Sequence, residues 1–376
     1  MTFRPRLPNQ TRDARPSDRR VRHRSIGGVP RCLPRPTSGT VELLERLFDP
    51  DIWRDVTGGE IADRVRRLTR VTPLVPAPAL GRRTGADVCL KLECLQRSGS
   101  FKLRGAAARL AAIHRDRAGT GPVRVIAASA GNHGLGVALA ARAFELEATI
   151  IVSAQTPALK RTGIEALGAT VEVVGATYDE AELEARRRAA ADPRLVFVSA
   201  FDDDHVMAGN GGLLAREMLA QLPDVEMVVL PVGGGGLAGG VGVEVVPRGI
   251  RILGVSPEVN CAMRRSLDEG HAYTTYSGGP TLAEGLEGAV SERTFCMARD
   301  YFPDIVLVSE IAMRKAIVYA YRTLGILCEA SAAPALAVLL EQPEAIRGRR
   351  VVVVITGGNI EPDLLDQLLA GTVTSS

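Results

Sequence analysis

Apolar residues run along this chain in short β-branched bursts, not in long helical stripes. From residue 88 the runs are "VCLKLE" (88–93), "VRVIAAS" (123–129), "ATIIVS" (148–153), "TVEVV" (170–174), "LVFVSA" (195–200), "EMVVLPV" (226–232), "IRILGV" (250–255), "DIVLVS" (304–309) and "VVVVIT" (351–356), most of them separated by segments of helical spacing. Such runs, rich in Val and Ile, predict buried strands of parallel sheet joined by helical crossovers. They are more numerous than one open sheet needs, so the pattern predicts an α/β protein with two domains and a cleft between them. Upstream, "VELLERLF" and "GGEIADRVRRL" have helical spacing, and "VTPLVPAPAL" is an extended stretch broken by prolines. The predicted division is a large domain made of 41–120 and 196–376, with 121–195 as a small domain.

Composition changes the picture only at the N-terminus. The formal net charge is +3. Residues 1–40 hold ten arginines against two aspartates, a local +8, which leaves the remainder near −5. Six prolines interrupt the same forty residues, so they are expected to be a disordered extension. A mildly acidic body lacks the basic face that nucleic acid requires. No apolar run approaches the ~20 residues of a membrane span, and the N-terminus carries no hydrophobic secretion segment. Cysteines at 32, 89, 94, 261, 296 and 328 show no CxxC spacing and no paired framework, which predicts thiols in a cytoplasmic enzyme without structural zinc.

In open α/β sheets ligands gather at the carboxyl ends of strands, and three glycine clusters fall there. "GGGG" at Gly233, Gly234, Gly235 and Gly236 follows "EMVVLPV"; consecutive N–H groups without a Cβ suit a phosphate at a helix start. Gly234, Gly236 and Gly239 with Glu258 also match a dinucleotide fingerprint, so a nicotinamide cofactor is a competing reading. "SAGNHG", comprising Ser129, Ala130, Gly131, Asn132, His133 and Gly134, offers N–H donors for a carboxylate and the Asn132 amide for an aromatic hydroxyl. His133 lacks a second histidine at ligand spacing and reads as a turn residue, not a base or metal ligand. "TGGN" places the Thr356 hydroxyl at a strand end.

The fourth cluster is "SGSFKLRGA", residues 98–106. Lysine occurs only at 91, 102, 160 and 315, so 42 of the 46 basic residues are arginine. A lysine among small residues in this chain suggests an amine that must lose its proton and attack a carbonyl, which a guanidinium cannot do. Ser98 or Ser100 is expected to cap a helix beginning near Phe101, with Lys102 in its first turn, where the helix dipole disfavours the charged amine. A solvated lysine at a helix start is the plain alternative. Lys91 is expected to alternate within a strand, and Lys160 and Lys315 to lie on helix faces. An amine, a phosphate nest, an amide and a strand-end hydroxyl together match pyridoxal 5′-phosphate, which nicotinamide does not explain.

In the order "KLECLQRSGSFKLRGA", "SAGNHG", "PVGGGGLAGG", "TLAEGL" and "TGGN", the chain resembles the fold-type II pyridoxal-phosphate enzymes over about residues 70–360, in the serine/threonine dehydratase and serine racemase branch. The resemblance implies a tryptophan synthase β-like fold of parallel sheets flanked by helices, with the cofactor in the interdomain cleft, and a homodimer. It makes Lys102 the Schiff-base lysine, Phe101 the residue packed on the pyridine ring and Asn132 the contact to the ring hydroxyl. Gly233 to Gly236 become the phosphate loop and Thr356 the partner of the ring nitrogen. Ser129, Ala130, Gly131, Asn132, His133 and Gly285 become the substrate side. The implied activity is β-elimination of a 3-hydroxy amino acid such as L-threonine or L-serine to a 2-oxo acid and ammonia, with β-replacement or racemisation as alternatives.

Lys102-Leu103-Arg104-Gly105 in place of a Lys-Asp-Arg turn favours elimination over replacement, and Ala130 where racemases present a second serine disfavours racemisation. Ser256 and Ala262 stand where the branch places acidic cation ligands, so no metal is expected. Glu284 in "TLAEGL", Asn210 and Gly212 in "AGNGG", and "EASAA" at 329–333 depart from the family pattern and are expected to surround the substrate end of the site.

Overall fold

Each of the nine apolar runs becomes a strand in the computed structural model, which describes residues 47–117, 121–156 and 158–371. The predicted disordered extension, residues 1–40, lies outside the described residues. One sheet holds β1 (Leu74–Pro76), β2 (Asp87–Leu92), β7 (Met227–Pro231), β8 (Arg251–Pro257), β9 (Ile305–Val308) and β10 (Arg350–Ile355), in the order β1-β2-β10-β7-β8-β9. A second holds β3 (Arg124–Ala128), β4 (Glu147–Val152), β5 (Thr170–Val173) and β6 (Leu195–Phe197), in the order β5-β4-β3-β6. Every pairing is parallel except that of β1 with β2. β1 comes from the proline-interrupted stretch and lies at an edge, where a residue without an N–H is tolerated.

β10 shows why the runs are continuous instead of alternating. Val351 to Ile355 are all fully buried. Val352 and Val354 enter one apolar core, while Val351, Val353 and Ile355 enter the other, together with the helix Ala333–Glu341. Each fully buried aliphatic side chain of this kind contributes about 1.5–3 kcal/mol, so a strand covered on both faces gains from every position.

The first of these cores does not stop at the large sheet. It runs from Val228, Leu230, Val352 and Val354 through Leu103, Ala107 and Leu110 of the helix Lys102–Asp116 to Val125, Ala127, Ile150 and Val152 of the small sheet. The lysine helix thus lies within a core continuous with both sheets, packed mainly on the helix Asn132–Ala143 and on neighbouring helices. Two close approaches fix it. Gly136 on the helix Asn132–Ala143 leaves room for the Lys102 main chain, since a Cβ there would stand 3.2 Å from the Lys102 carbonyl carbon. Behind it, a π-helical turn, Ala208–Leu213, brings Asn210 Oδ1 to the Gly105 N–H at 2.8 Å.

Among the described residues, Cys89, Cys94, Cys261 and Cys328 are free thiols. Among the described residues no helix is long and apolar enough to cross a membrane.

Candidate active site

The lysine turn is held by the end of β10. Ser100 pairs with Gly357 in an isolated antiparallel bridge, the Phe101 N–H donates to Thr356 O at 3.0 Å, and the Gly358 N–H donates to Gly99 O at 2.9 Å. This pairing corrects the expected cap: it draws Ser100 out of capping geometry, so Phe101 is the N-cap without a side-chain bond, and the Ser100 hydroxyl is buried without a partner. Asn210 supplies an acceptor to the helix start instead. Lys102 does occupy the first helical position.

Its amine donates to Ala200 O at 2.8 Å and stands 5.3 Å from the centre of the Phe101 ring. Desolvation lowers its pKa to about 8, with Glu329 the charge that opposes the shift. A solvated surface lysine is thereby excluded. The amine is partly shielded and readily deprotonated, which is what condensation with an aldehyde requires.

The floor beneath the lysine helix is a buried charge network. Arg104 donates to Glu93 at 2.8 Å and to Glu217 at 2.9 Å, and Lys91 Nζ donates to Glu217, to Gln221 Oε1 and to Thr72 O. Lys91 and Glu93 are fully buried and Arg104 nearly so. Desolvation opposes the Glu217 charge, yet Arg104 and Lys91 hold its carboxyl below the ordinary range. Lys91, expected as an ordinary strand residue, is therefore part of the support under Lys102. Two of these residues, Glu93 and Arg104, join the end of β2 to the lysine helix.

The "SAGNHG" turn closes another side. The Ser129 hydroxyl accepts from the Gly131 N–H at 3.1 Å, and Gly131 precedes the helix Asn132–Ala143. A Cβ at Gly131 would meet nothing within 4 Å, so the turn borders open space. The Asn132 Nδ2 donates to Glu329 Oε1 at 2.6 Å, and its Oδ1 accepts from Asn359 Nδ2 at 2.7 Å. His133 is buried and donates through Nε2 to Val198 O at 3.0 Å. Burial, then the Lys102 charge, pushes its pKa down to about 3, so the ring is neutral.

The glycine loop adjoins the amine through two consecutive residues. Ala200 accepts from Lys102, and Phe201 packs on the loop: a Cβ at Gly234 would stand 3.0 Å from its ring and one at Gly236 only 2.3 Å from its carbonyl oxygen. Gly235 has φ +88° and caps the helix Gly236–Val245. Among the described residues, the N–H groups of Gly233, Gly234 and Gly235 donate to no main-chain carbonyl, and the helix start adds further free donors and positive dipole. The donor set fits a phosphate, and the desolvated amine fits an aldehyde. Thr356 is buried and its carbonyl accepts from the Phe101 N–H of the lysine turn. The phosphorylated aromatic aldehyde expected from the sequence therefore matches the residues present. Glu258, which the dinucleotide reading requires, is exposed beyond β8.

All four clusters are brought together, and the remaining departures sort by position. Gly285 donates its N–H to Ser331 Oγ at 2.9 Å, and its neighbour Leu286 lies against Gly233. Glu284 pairs with Lys160 at 2.7 Å. Asn210 and Gly212, by contrast, do not surround the substrate end: Asn210 bonds Gly105 behind the lysine helix and Gly212 packs against Trp53 and Thr57, because the π-turn is the packing surface of that helix. Glu329, Asn359 and the Ala200 carbonyl belong to the site and were missed. Glu329 lies in "EASAA", a segment that departs from the family pattern but in which no local motif marks the glutamate.

The chain matches the family model described as pyridoxal-phosphate dependent enzyme over residues 65–357. It is 37% identical over 320 residues to the L-threonine ammonia-lyase of Thermotoga maritima, covering 84% of this chain and 78% of that protein. Among solved structures it resembles the processed form of threonine deaminase isoform 2 from Solanum lycopersicum, with TM-score 0.78 and 30% identity over 93% of this chain and all of that one. Maize serine racemase is also similar, with TM-score 0.77 and 26% identity over 87% of this chain and 98% of that one.

Proposed function

This chain belongs to the family of pyridoxal-phosphate dependent enzymes, and from that membership we infer that it is an ammonia-lyase of the threonine dehydratase type. It converts a 3-hydroxy amino acid such as L-threonine or L-serine into a 2-oxo acid and ammonia. The observation that carries this reading is the Lys102 amine, lowered to about pKa 8 and joined through Ala200 and Phe201 to a loop of free main-chain donors.

When bound, the cofactor would supply an aldehyde for the substrate amine and a ring that draws electrons from the substrate Cα. Gly233, Gly234, Gly235 and Gly236 would hold its phosphate, Phe101 would pack on the ring, and Asn132 and Thr356 would offer polar groups to the ring hydroxyl and nitrogen. Lys102 Nζ, near neutrality in its proton affinity, takes the Cα proton. The turn from Ser129 to His133 and the Gly285 segment orient the substrate carboxylate. A hydroxyl at Thr356 is neutral and leaves the ring nitrogen without a charged partner, which suits departure of a β-substituent. At Ala130 a methyl group offers no proton to the opposite face of Cα, so racemisation and elimination separate here.

The purified chain incubated with a panel of 3-hydroxy amino acids is expected to release 2-oxo acid and ammonia in equal amounts, with no opposite enantiomer. Accumulation of the enantiomer, or product only when an added nucleophile is present, would replace this reading by racemisation or β-replacement. We further propose a cytoplasmic homodimer on the family resemblance, which light scattering on the purified chain tests for assembly.

A further inference from the structure

We propose that Glu329 is a positioning residue that remains ionised although buried, aligning the Asn132 amide and serving as the counter-charge of the Lys102 nitrogen. The proposal rests on the cofactor reading above and concerns what this chain brings to it.

The argument begins from hydrogen-bond polarity. Asn359 Nδ2 donates to Ser98 O at 2.9 Å; a carbonyl can only accept, so the Asn359 amide cannot be turned over. The same Nδ2 donates to Asn132 Oδ1 at 2.7 Å, which fixes the Asn132 amide with its nitrogen toward Glu329. That nitrogen donates to Glu329 Oε1 at 2.6 Å. At the other oxygen, the Asn359 main-chain N–H, which can only donate, lies 3.2 Å from Oε2. Both ends of the chain are main-chain groups of fixed polarity, so each Glu329 oxygen is required as an acceptor. Fixed donors to both oxygens favour the carboxylate form.

The cradle is built for this side chain. A Cβ at Gly357 would stand 2.2 Å from Glu329 Oε1, and one at Gly99, where φ is +76°, would stand 2.1 Å from Asn359 Oδ1. "TGGN" and "SGSF" thus keep glycine where the carboxylate and its supporting amide need the space. Glu329 is 7% exposed and forms no ion pair among the described residues; its hydrogen-bond donors are neutral.

The other titratable groups around it leave the carboxylate as the charge that acts on the Lys102 amine. His133, pushed down to about 3, is neutral. Desolvation pushes the Cys94 thiol up to about 12 and raises that of Cys328, so both stay protonated through the neutral range. Lys160, from the helix Ala158–Glu165, is already paired with Glu284. Burial is the largest influence and leaves the Glu329 carboxyl above its ordinary value, although Asn132, the Asn359 N–H, Lys160 and Lys102 all pull it down; the fixed donors at both oxygens are what favour the carboxylate form. A negative charge held there stabilises positive charge on the Lys102 nitrogen, including the charge that arrives with a proton from Cα.

The test uses the cofactor-loaded full chain without substrate, following its visible absorbance against pH. In Glu329→Gln the midpoint is expected to move down by about one unit, while Glu329→Asp, which keeps the charge, stays close to the parent. Turnover of Glu329→Gln is expected to fall with little change in KM. An unchanged midpoint in a folded Glu329→Gln protein would overturn the proposal. Should that variant fail to fold, Glu329→Asp decides: a midpoint near the parent supports the proposal, and one lowered by a full unit contradicts it. Absence of any visible chromophore in the parent would instead overturn the cofactor reading, and absence of 2-oxo acid alone would leave this inference standing.

Discussion

Lys102 is expensive to keep and the fold accepts the cost for its reactivity. Its pKa falls from an ordinary 10.5 to about 8, so the folded state binds the proton less tightly than the unfolded state does. The resulting penalty is fully present below pH 8 and is relieved as pH rises from about 8 to about 10.5. The cofactor-free Lys102→Met protein is therefore expected to melt higher than the cofactor-free parent at pH 7, with the advantage shrinking toward pH 10; calorimetry at the two pH values measures it. The same variant should lose turnover and the visible chromophore together. Lys91 shows how context assigns the role: it is also a buried lysine, yet it is bonded to Glu217, Gln221 and Thr72 and so is structural.

Among the elements, the glycine loop and the lysine helix fail in different ways when altered. Adding a methyl group at Gly236 places a carbon 2.3 Å from the Phe201 carbonyl oxygen, which cannot move without displacing Ala200, the acceptor for Lys102. Overpacking of this kind costs about 1–3 kcal/mol, so Gly236→Ala is expected to weaken cofactor binding by roughly 10–100-fold, read as Kd by fluorescence titration. The helix instead depends on charge compensation below it. Arg104→Met leaves Glu93 and Glu217 without their guanidinium, and breaking a buried pair costs about 3–5 kcal/mol, to be seen as a lower unfolding free energy in urea.

Strand positions were legible because apolar runs covered on both faces have few alternatives, and the glycine clusters were legible because they end those strands. The cap at Ser100 was not, since a partner 257 residues away, Gly357, draws that serine into a bridge. Glu329 was hidden for the same reason: only folding brings residues 98, 132, 329 and 359 together.

For the whole molecule, two sheets share one apolar core through the lysine helix, and the site gathers segments from both. The Lys160–Glu284 pair also spans the two parts, but Glu284 is largely exposed. Exposed pairs contribute about 0–1 kcal/mol, so Lys160→Ala is expected to change the unfolding free energy by less than about 1 kcal/mol, well below the Arg104 effect. The shared core, not this surface contact, holds the halves in register. What it holds in register is a single amine set against a phosphate nest. The direct test of that arrangement is to treat the cofactor-loaded protein with borohydride, digest it and locate the modification by mass spectrometry. The added mass is expected on the peptide containing Lys102; finding it on Lys91, Lys160 or Lys315, or on no lysine, would contradict the account.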